Sequence, residues 1–193
     1  TSWAFEPNLP RADFAPEKVP ALLQEAGFKK EGKAWLKDGK VLALRILTIK
    51  DFEEMAQAVA DYLRRVDIPA EVEVMEYSTL RRAFMQKGLF DVILWSRSFG
   101  PDPECSMVWS SGGALNFCRL QDARVDGWLR EARLAPNRQA RKAIYRKFQE
   151  YLATELPWLF LAQPRQIMAY REGMVGIQKG RQKDAGLPWD NIA

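Results

Sequence analysis

The chain has 193 residues, of which 47% are hydrophobic, 28% charged and 11% aromatic, enough for one substantial domain or two small ones with a real core. Twelve Gly and 11 Pro exclude collagen and low-complexity disorder, and no run approaches the roughly 18 apolar residues of a membrane-spanning helix. The 29 basic and 25 acidic residues leave a mixed net charge of +4, and the absence of histidine excludes Ser-His-Asp triads, Cys-His pairs and HExxH zinc sites.

The opening TSWAFEPNLP lacks a basic stretch followed by an apolar one, so no signal peptide is expected, and the chain reads as cytosolic or as a mature or excised piece. Residues 1–16, with Pro7, Pro10 and Pro16, predict an extended lead-in. A helix is predicted over 17–26, with Val19, Leu22, Leu23 and Ala26 on one face and Gly27 as its stop. Gly32, Asp38 and Gly39 bracket a hairpin-like turn around Trp35 and Leu36. The near-continuous apolar run 41–49 predicts a strand covered on both faces. A helix over 51–65 follows, then an alternating strand over 71–77 and a helix over 79–86 capped by Ser78 and stopped by Gly88. Residues 91–96 predict a third buried strand. Two consecutive βαβ units result, so the fold class is α/β with a mostly parallel sheet and flanking helices.

From 97 to 121 no periodicity is visible, and a stretch of that length in a compact domain is functional or disordered. Two amphipathic helices are predicted next. The first, over 123–134, turns Val125, Trp128, Leu129 and Ala132 inward; the second, over 138–155, turns Ala140, Ile144, Phe148, Tyr151 and Leu152 inward. Arg141, Lys142, Arg146 and Lys147 fall on the outer face of the second helix and read as solvated. Residues 157–163 and 166–171 read as short buried strands, and the chain is weakly patterned from Gly176. Cys105 and Cys118 either close a loop as a disulfide or stand as two unlinked small hydrophobes; with no histidine they cannot complete a zinc site.

Ligands of open parallel sheets bind beyond the carboxyl ends of the strands, which points to 48–51, 77–78 and above all 96–103. There Arg97 can grip a carboxylate with its fork, Phe99 offers a flat apolar platform, and Gly100 leaves room for a close approach. Ser98 can donate or accept. Asp102, between Pro101 and Pro103, suits either a turn or a carboxylate aimed at an amine. Trp95 and Trp109 are candidates for ligand platforms against core packing, and Asn116 for an amide returning to the cleft. Glu53 and Glu54 point in different directions and make no acid pair, and neither GxxxxGK[ST] nor GxGxxG occurs. No cofactor and no metal ligand is predicted, and the protein reads as no enzyme. The alternative is a basic βαβ module for nucleic acid, against which the strands lack exposed aromatics for base stacking.

In this order, several motifs resemble the C-terminal part of the peptide/nickel class (family 5) of extracytoplasmic solute-binding proteins that serve ABC importers. They are the LLxEAGF helix end (Leu22–Phe28), the G-x-F-D strand entry (Gly88–Asp91) and the Ser-x-Gly-Pro-Asp-Pro turn (Ser98–Pro103). Val125-Asp126, Arg141, Tyr145 and the closing ELPWLFL (Glu155–Leu161) complete the set. The resemblance covers the chain from about Trp3 to its end and implies one lobe of a class II periplasmic-binding-protein-like fold. Residues 1–16 would be the hinge-side lead-in, 17–155 the α/β ligand-binding lobe, and 156–193 a tail crossing back to a missing N-terminal lobe. It further implies capture of a peptide or similar polar solute and delivery to an ABC permease. The place is extracytoplasmic, in the periplasm or as a cell-surface lipoprotein, with anchor or signal absent from this chain; no nucleic-acid partner is implied. Peptide binders of the family often carry a Trp and then an Asp facing the ligand's amino terminus. Here Arg97 stands where that Trp is expected and Ser98 or Phe99 near the Asp, which favours an anionic or carboxylate-bearing ligand.

Overall fold

A computed structural model describes residues 2–11, 13–85, 90–100, 102–162 and 171, and the chain divides into two units, Ala12–Arg97 and Thr1–Arg11 with Ser98–Ala193. In the first, the sheet unit, the apolar run of the sequence is shared between two sheets. Val41 belongs to a small antiparallel meander, β1 (Lys29–Glu31), β2 (Ala34–Lys37) and β3 (Lys40–Val41). The rest forms β4 (Leu44–Thr48), the centre of a second sheet with β5 (Ala70–Val74) and β6 (Val92–Ile93) in the order β5-β4-β6, both pairings parallel. The α/β reading with a parallel sheet holds.

Three successive residues of β4 are sealed: Ile46 0%, Leu47 1% and Thr48 0% exposed. Because successive side chains point to opposite faces, such a run requires cover on both sides. The Thr48 hydroxyl, a polar group in that setting, donates to the Leu94 carbonyl at 2.9 Å. One cover is α2 (Glu53–Arg64), entered through a 3-10 turn at Lys50–Phe52; its buried Ala56 and Ala60 cluster with Ile46, Ala70 and Leu94. Arg64, at the end of α2, donates from Nε and Nη2 to the Ala70 carbonyl at 3.0 and 2.7 Å and ties the helix end to the start of β5. The meander is fastened nearby. Buried Trp35 donates to the Val66 carbonyl at 3.2 Å, and Lys30 pairs with Asp67 at 2.6 Å.

Two expectations need correction here. The helix after β5, α3 (Tyr77–Met85), starts earlier than predicted, and Glu76 rather than Ser78 caps it. The Glu76 carboxylate accepts from the amides of Ser78 and Thr79 at 2.7 and 3.4 Å and from the Ser78 hydroxyl. Those bonds, the hydroxyl's first, hold its pKa below the ordinary carboxylate range. Helix α1 (Val19–Glu25) forms, but buries none of its residues.

In the second, the helical unit, the two predicted helices appear with the expected bounds: α5 (Ala123–Leu134) and α6 (Arg138–Glu155). Asp122 and Asn137 cap them, accepting from the amides of Arg124 at 2.8 Å and Ala140 at 2.9 Å. Val125, Leu129, Ala132, Tyr145, Phe148 and Leu152 supply their share of the core. Part of the lead-in is pinned to α6: the Gln149 amide donates to the Ala4 carbonyl at 2.9 Å and its Oε1 accepts the Glu6 amide at 3.2 Å. The stretch predicted to lack periodicity holds a short helix, α4 (Ser106–Trp109), and a loop folded over it. Residues 157–162 are not a buried strand. Trp158 stacks on Trp109 with ring centroids 4.5 Å apart, while Leu159, Phe160 and Leu161 are exposed; apolar content alone makes no strand without a partner edge. Of the strand expected at 166–171 only residue 171 is described, and the chain from 172 lies outside the described residues.

Gly113 marks the tightest point of this loop. A Cβ there would lie 2.4 Å from the Met107 carbonyl oxygen and 2.7 Å from that of Ser106, both backbone atoms that cannot swing aside. Gly113→Ala is expected to destabilise the helical unit by about 1–3 kcal/mol, read as a lower urea midpoint with an unchanged slope.

Candidate functional site

Parallel pairing brings the carboxyl ends of β4, β5 and β6 to one edge of the sheet unit. The alignment continues past the strands: the Met75 amide donates to the Thr48 carbonyl at 2.8 Å and the Leu94 amide to that of Leu47 at 2.9 Å. Just beyond, the rings of Tyr77 and Trp95 lie with centroids 6.1 Å apart at 48°, Tyr77 exposed and Trp95 half-buried. Arg97 follows, exposed and without an ion pair among the described residues. Thus two sequence-predicted residues, Trp95 and Arg97, stand on this edge with Tyr77, which belongs to the 77–78 segment that the strand-end rule also pointed to.

The remaining candidates lie on the helical unit. Ser98, Phe99 and Gly100 are exposed, and a Cβ at Gly100 would meet nothing within 4 Å. Asp102 is engaged. Arg141 donates to it from Nη1 at 2.7 Å and from Nη2 at 2.6 Å, and its Oδ1 also accepts the Glu104 amide at 2.8 Å. The bond from Arg141 holds the Asp102 carboxyl below the ordinary range and raises the guanidinium in turn. Of the two readings of Asp102, the turn is the one its contacts match. Trp109 is 2% exposed and packs edge-on against Phe148 at 6.0 Å, a core residue rather than an open platform. Asn116 is spent inside its loop: its Nδ2 donates to the carbonyls of Ser110 at 3.0 Å and Leu120 at 2.7 Å, and its Oδ1 accepts the Leu120 amide at 2.9 Å.

Arg141 corrects a second expectation. Lys142, Arg146 and Lys147 are exposed as predicted, but the Arg141 side chain is only 21% exposed. Its guanidinium lies 5.5 Å from the Tyr145 ring and 5.7 Å from that of Trp3. The signal was present in the spacing: Arg141, Tyr145, Phe148 and Leu152 share one helix face, of which Tyr145, Phe148 and Leu152 are buried. Both cysteines are free, and burial first, then the Glu104 charge, pushes the Cys105 thiol up to about 12. Among the described residues no cluster of His, Cys, Asp or Glu is placed to hold a metal ion.

Residues 1–117 match the family described as bacterial extracellular solute-binding proteins, family 5 Middle. The oligopeptide-binding protein AppA of Bacillus subtilis (strain 168) is 26% identical over 195 aligned positions, covering 95% of this chain and 36% of that protein. The solved structure of AppA with a nonapeptide superimposes with a TM-score of 0.73 at 21% identity, over 81% of this chain and 33% of AppA. NikZ of Campylobacter jejuni, solved with Ni(L-His), gives the same TM-score of 0.73 at 27% identity, over 81% of this chain and 33% of NikZ. The chain therefore spans about a third of the length of the relatives it matches.

Two outcomes follow from the electrostatics. Because the Asp102 pKa is depressed on folding, its contribution to stability is present above the ordinary carboxylate range and lost as pH falls below about 4. Since the pair is largely exposed, Asp102→Asn is expected to remove only a small part of that acid limb, at most about 1 kcal/mol, read as thermal midpoints from pH 6 downward. In native protein at pH 8, Cys105 is expected to react with iodoacetamide at least about tenfold more slowly than Cys118, by mass spectrometry of timed digests.

Proposed function

This chain belongs to the bacterial extracellular solute-binding proteins of family 5, and from that premise we propose that it is the ligand-binding part of an ABC importer's binding protein, taking up peptides or similar polar solutes. One observation carries the reading. On the sheet unit the Tyr77 ring, paired with half-buried Trp95, and the Arg97 fork are exposed beyond β6; on the helical unit Ser98, Phe99 and Gly100 are exposed. Such groups suit a peptide. Rings and flat glycine surface accept side chains of any kind, hydroxyls and main chain accept amides, and a guanidinium accepts a terminal or side-chain carboxylate in two parallel bonds. Asp102 is turned to Arg141, so Arg97 is the charged group proposed to face the ligand, and a carboxylate-bearing solute is favoured over one read by its amine.

Since the chain spans about a third of its relatives, the binding site is proposed to be completed by an N-terminal lobe that closes over the ligand, with the tail after residue 155 returning to that lobe. The solute then passes to a permease in the membrane. The role is one of capture outside the cytoplasm; neither covalent chemistry nor a nucleic-acid partner is part of it.

Calorimetry on the full-length protein tests this with a tripeptide and a nonapeptide of mixed sequence, each as free acid and as amide. Micromolar or tighter binding of at least one free acid is expected, with affinity at least about a hundredfold weaker for the 193-residue chain alone. Arg97→Ala is expected to weaken the free acid about tenfold and the amide little. Full affinity in the isolated chain, or no peptide binding by the whole protein, overturns the reading.

A further inference from the structure

We infer that Arg141, steadied by Trp3, is a positioning residue that sets the direction of the ligand-facing stretch 98–100 through its bidentate grip on Asp102. The inference rests on the proposed reading that this stretch meets the ligand. All the groups involved lie within the helical unit.

Asp102 is the first described residue after Gly100, and its contacts define where the chain goes next. One oxygen, Oδ1, takes both the Arg141 Nη2 at 2.6 Å and the Glu104 amide at 2.8 Å; the other takes Nη1 at 2.7 Å. The Glu104 carboxylate repeats the device by accepting the Ser106 amide at 3.1 Å, at the start of α4, whose Val108 and Trp109 are buried in the core. From Asp102 to Ser106 the chain is thus held by a relay of side chain to main chain, and among the described residues the long-range member of that relay is Arg141, 39 positions away.

Arg141 is itself held by rings. Its Nε is buried and has no hydrogen-bond partner among the described residues, so the fork is aimed by its bonds to Asp102 and by a hydrogen bond with Tyr145, whose ring and that of Trp3 flank the guanidinium at 5.5 and 5.7 Å. Burial pushes the Tyr145 phenol up to about 12, which leaves it neutral beside the cation. Trp3 is shared with Arg138, whose guanidinium lies 4.6 Å from the ring centroid, and its neighbours Ala4 and Glu6 are fixed by Gln149. The segment read from sequence as a lead-in therefore braces the cation that aims the strand-end turn. A pair this exposed, with Asp102 at 56%, adds little to global stability. What it adds is orientation: two parallel bonds from a planar fork fix the carboxylate plane, which a single lysine cannot do.

The test uses the full-length protein, with millisecond hydrogen exchange read on peptic fragments spanning 98–106 and affinity for the free-acid nonapeptide. Arg141→Gln and Asp102→Asn are each expected to speed exchange in 98–106 at least about tenfold, while α5 keeps its protection. The double variant is expected to be no worse than either single one. Trp3→Ala is expected to give the same local signature at smaller size, and the exchanged pair D102R/R141D to recover part of the protection. Should R141Q not fold, R141K, which keeps the charge and loses the fork, reads the same local exchange. Unchanged exchange in 98–106 with α5 intact, or additive effects of the two singles, overturns the inference. Because the exchange arm needs no ligand, faster exchange in a protein that binds no peptide sinks the proposed ligand and keeps the positioning. Normal peptide affinity with unaltered exchange does the reverse.

Discussion

Parallel pairing on both sides of β4 is the constraint from which the sheet unit follows. Parallel neighbours cannot be joined by a tight turn, so the chain must run back along the sheet before each new strand, as it does through α2 and α3. All three strands then finish at one edge, whatever their side chains. That edge receives Tyr77 and Trp95 as a ring pair, with exposed Arg97 two positions further along the chain. The price of the arrangement is a central strand sealed on both faces, and Thr48 shows how narrowly polar groups are admitted there, its hydroxyl bound to the Leu94 carbonyl.

The helical unit follows a different logic. Its core is built on the stripe of α5 and α6, and its loops are set by side chains that satisfy main-chain groups. Asn116 uses its amide on Ser110 and Leu120, Asp102 and Glu104 each accept an amide two residues ahead, and Asp126 accepts the Ser111 amide at 2.8 Å. Polar residues of this kind are consumed by the fold. Ser98, Phe99 and Gly100 stay exposed, and it is these that the proposed reading assigns to a ligand.

Legibility in the sequence followed the range of the interactions. The bounds of α5 and α6 could be read because Asp122 and Asn137 stand just ahead of an apolar stripe, and both signals lie within a few positions. The βαβ order was readable for the same reason. Glu76 as a cap escaped notice because an acceptor two positions earlier competes with Ser78 for the same role. The spacing of Arg141 with Tyr145, Phe148 and Leu152 pointed it inward, but a cation on that face reads as solvated until its carboxylate is known, and Asp102 lies 39 positions upstream. Pinning of residues 4 and 6 by Gln149 spans more than 140 positions and leaves no local trace. Around the candidate site, Trp95, Arg97, Ser98, Phe99 and Gly100 were singled out by their place after a buried strand, whereas of their neighbours Trp109 is buried, Asn116 is spent inside its loop and Asp102, though exposed, is paired with Arg141.

By itself the sequence determined the βαβ order of the sheet unit, the bounds of α5 and α6, the family, and that no histidine stands in these 193 residues, since each of these depends on residue identity and local pattern. Only tertiary structure decided which polar and aromatic groups remain open. A carboxylate, an amide or an indole carries no mark of its partner. Whether it meets a ligand or a distant arginine is settled when segments far apart in the chain are packed together, and desolvation obliges every buried donor and acceptor to find a mate.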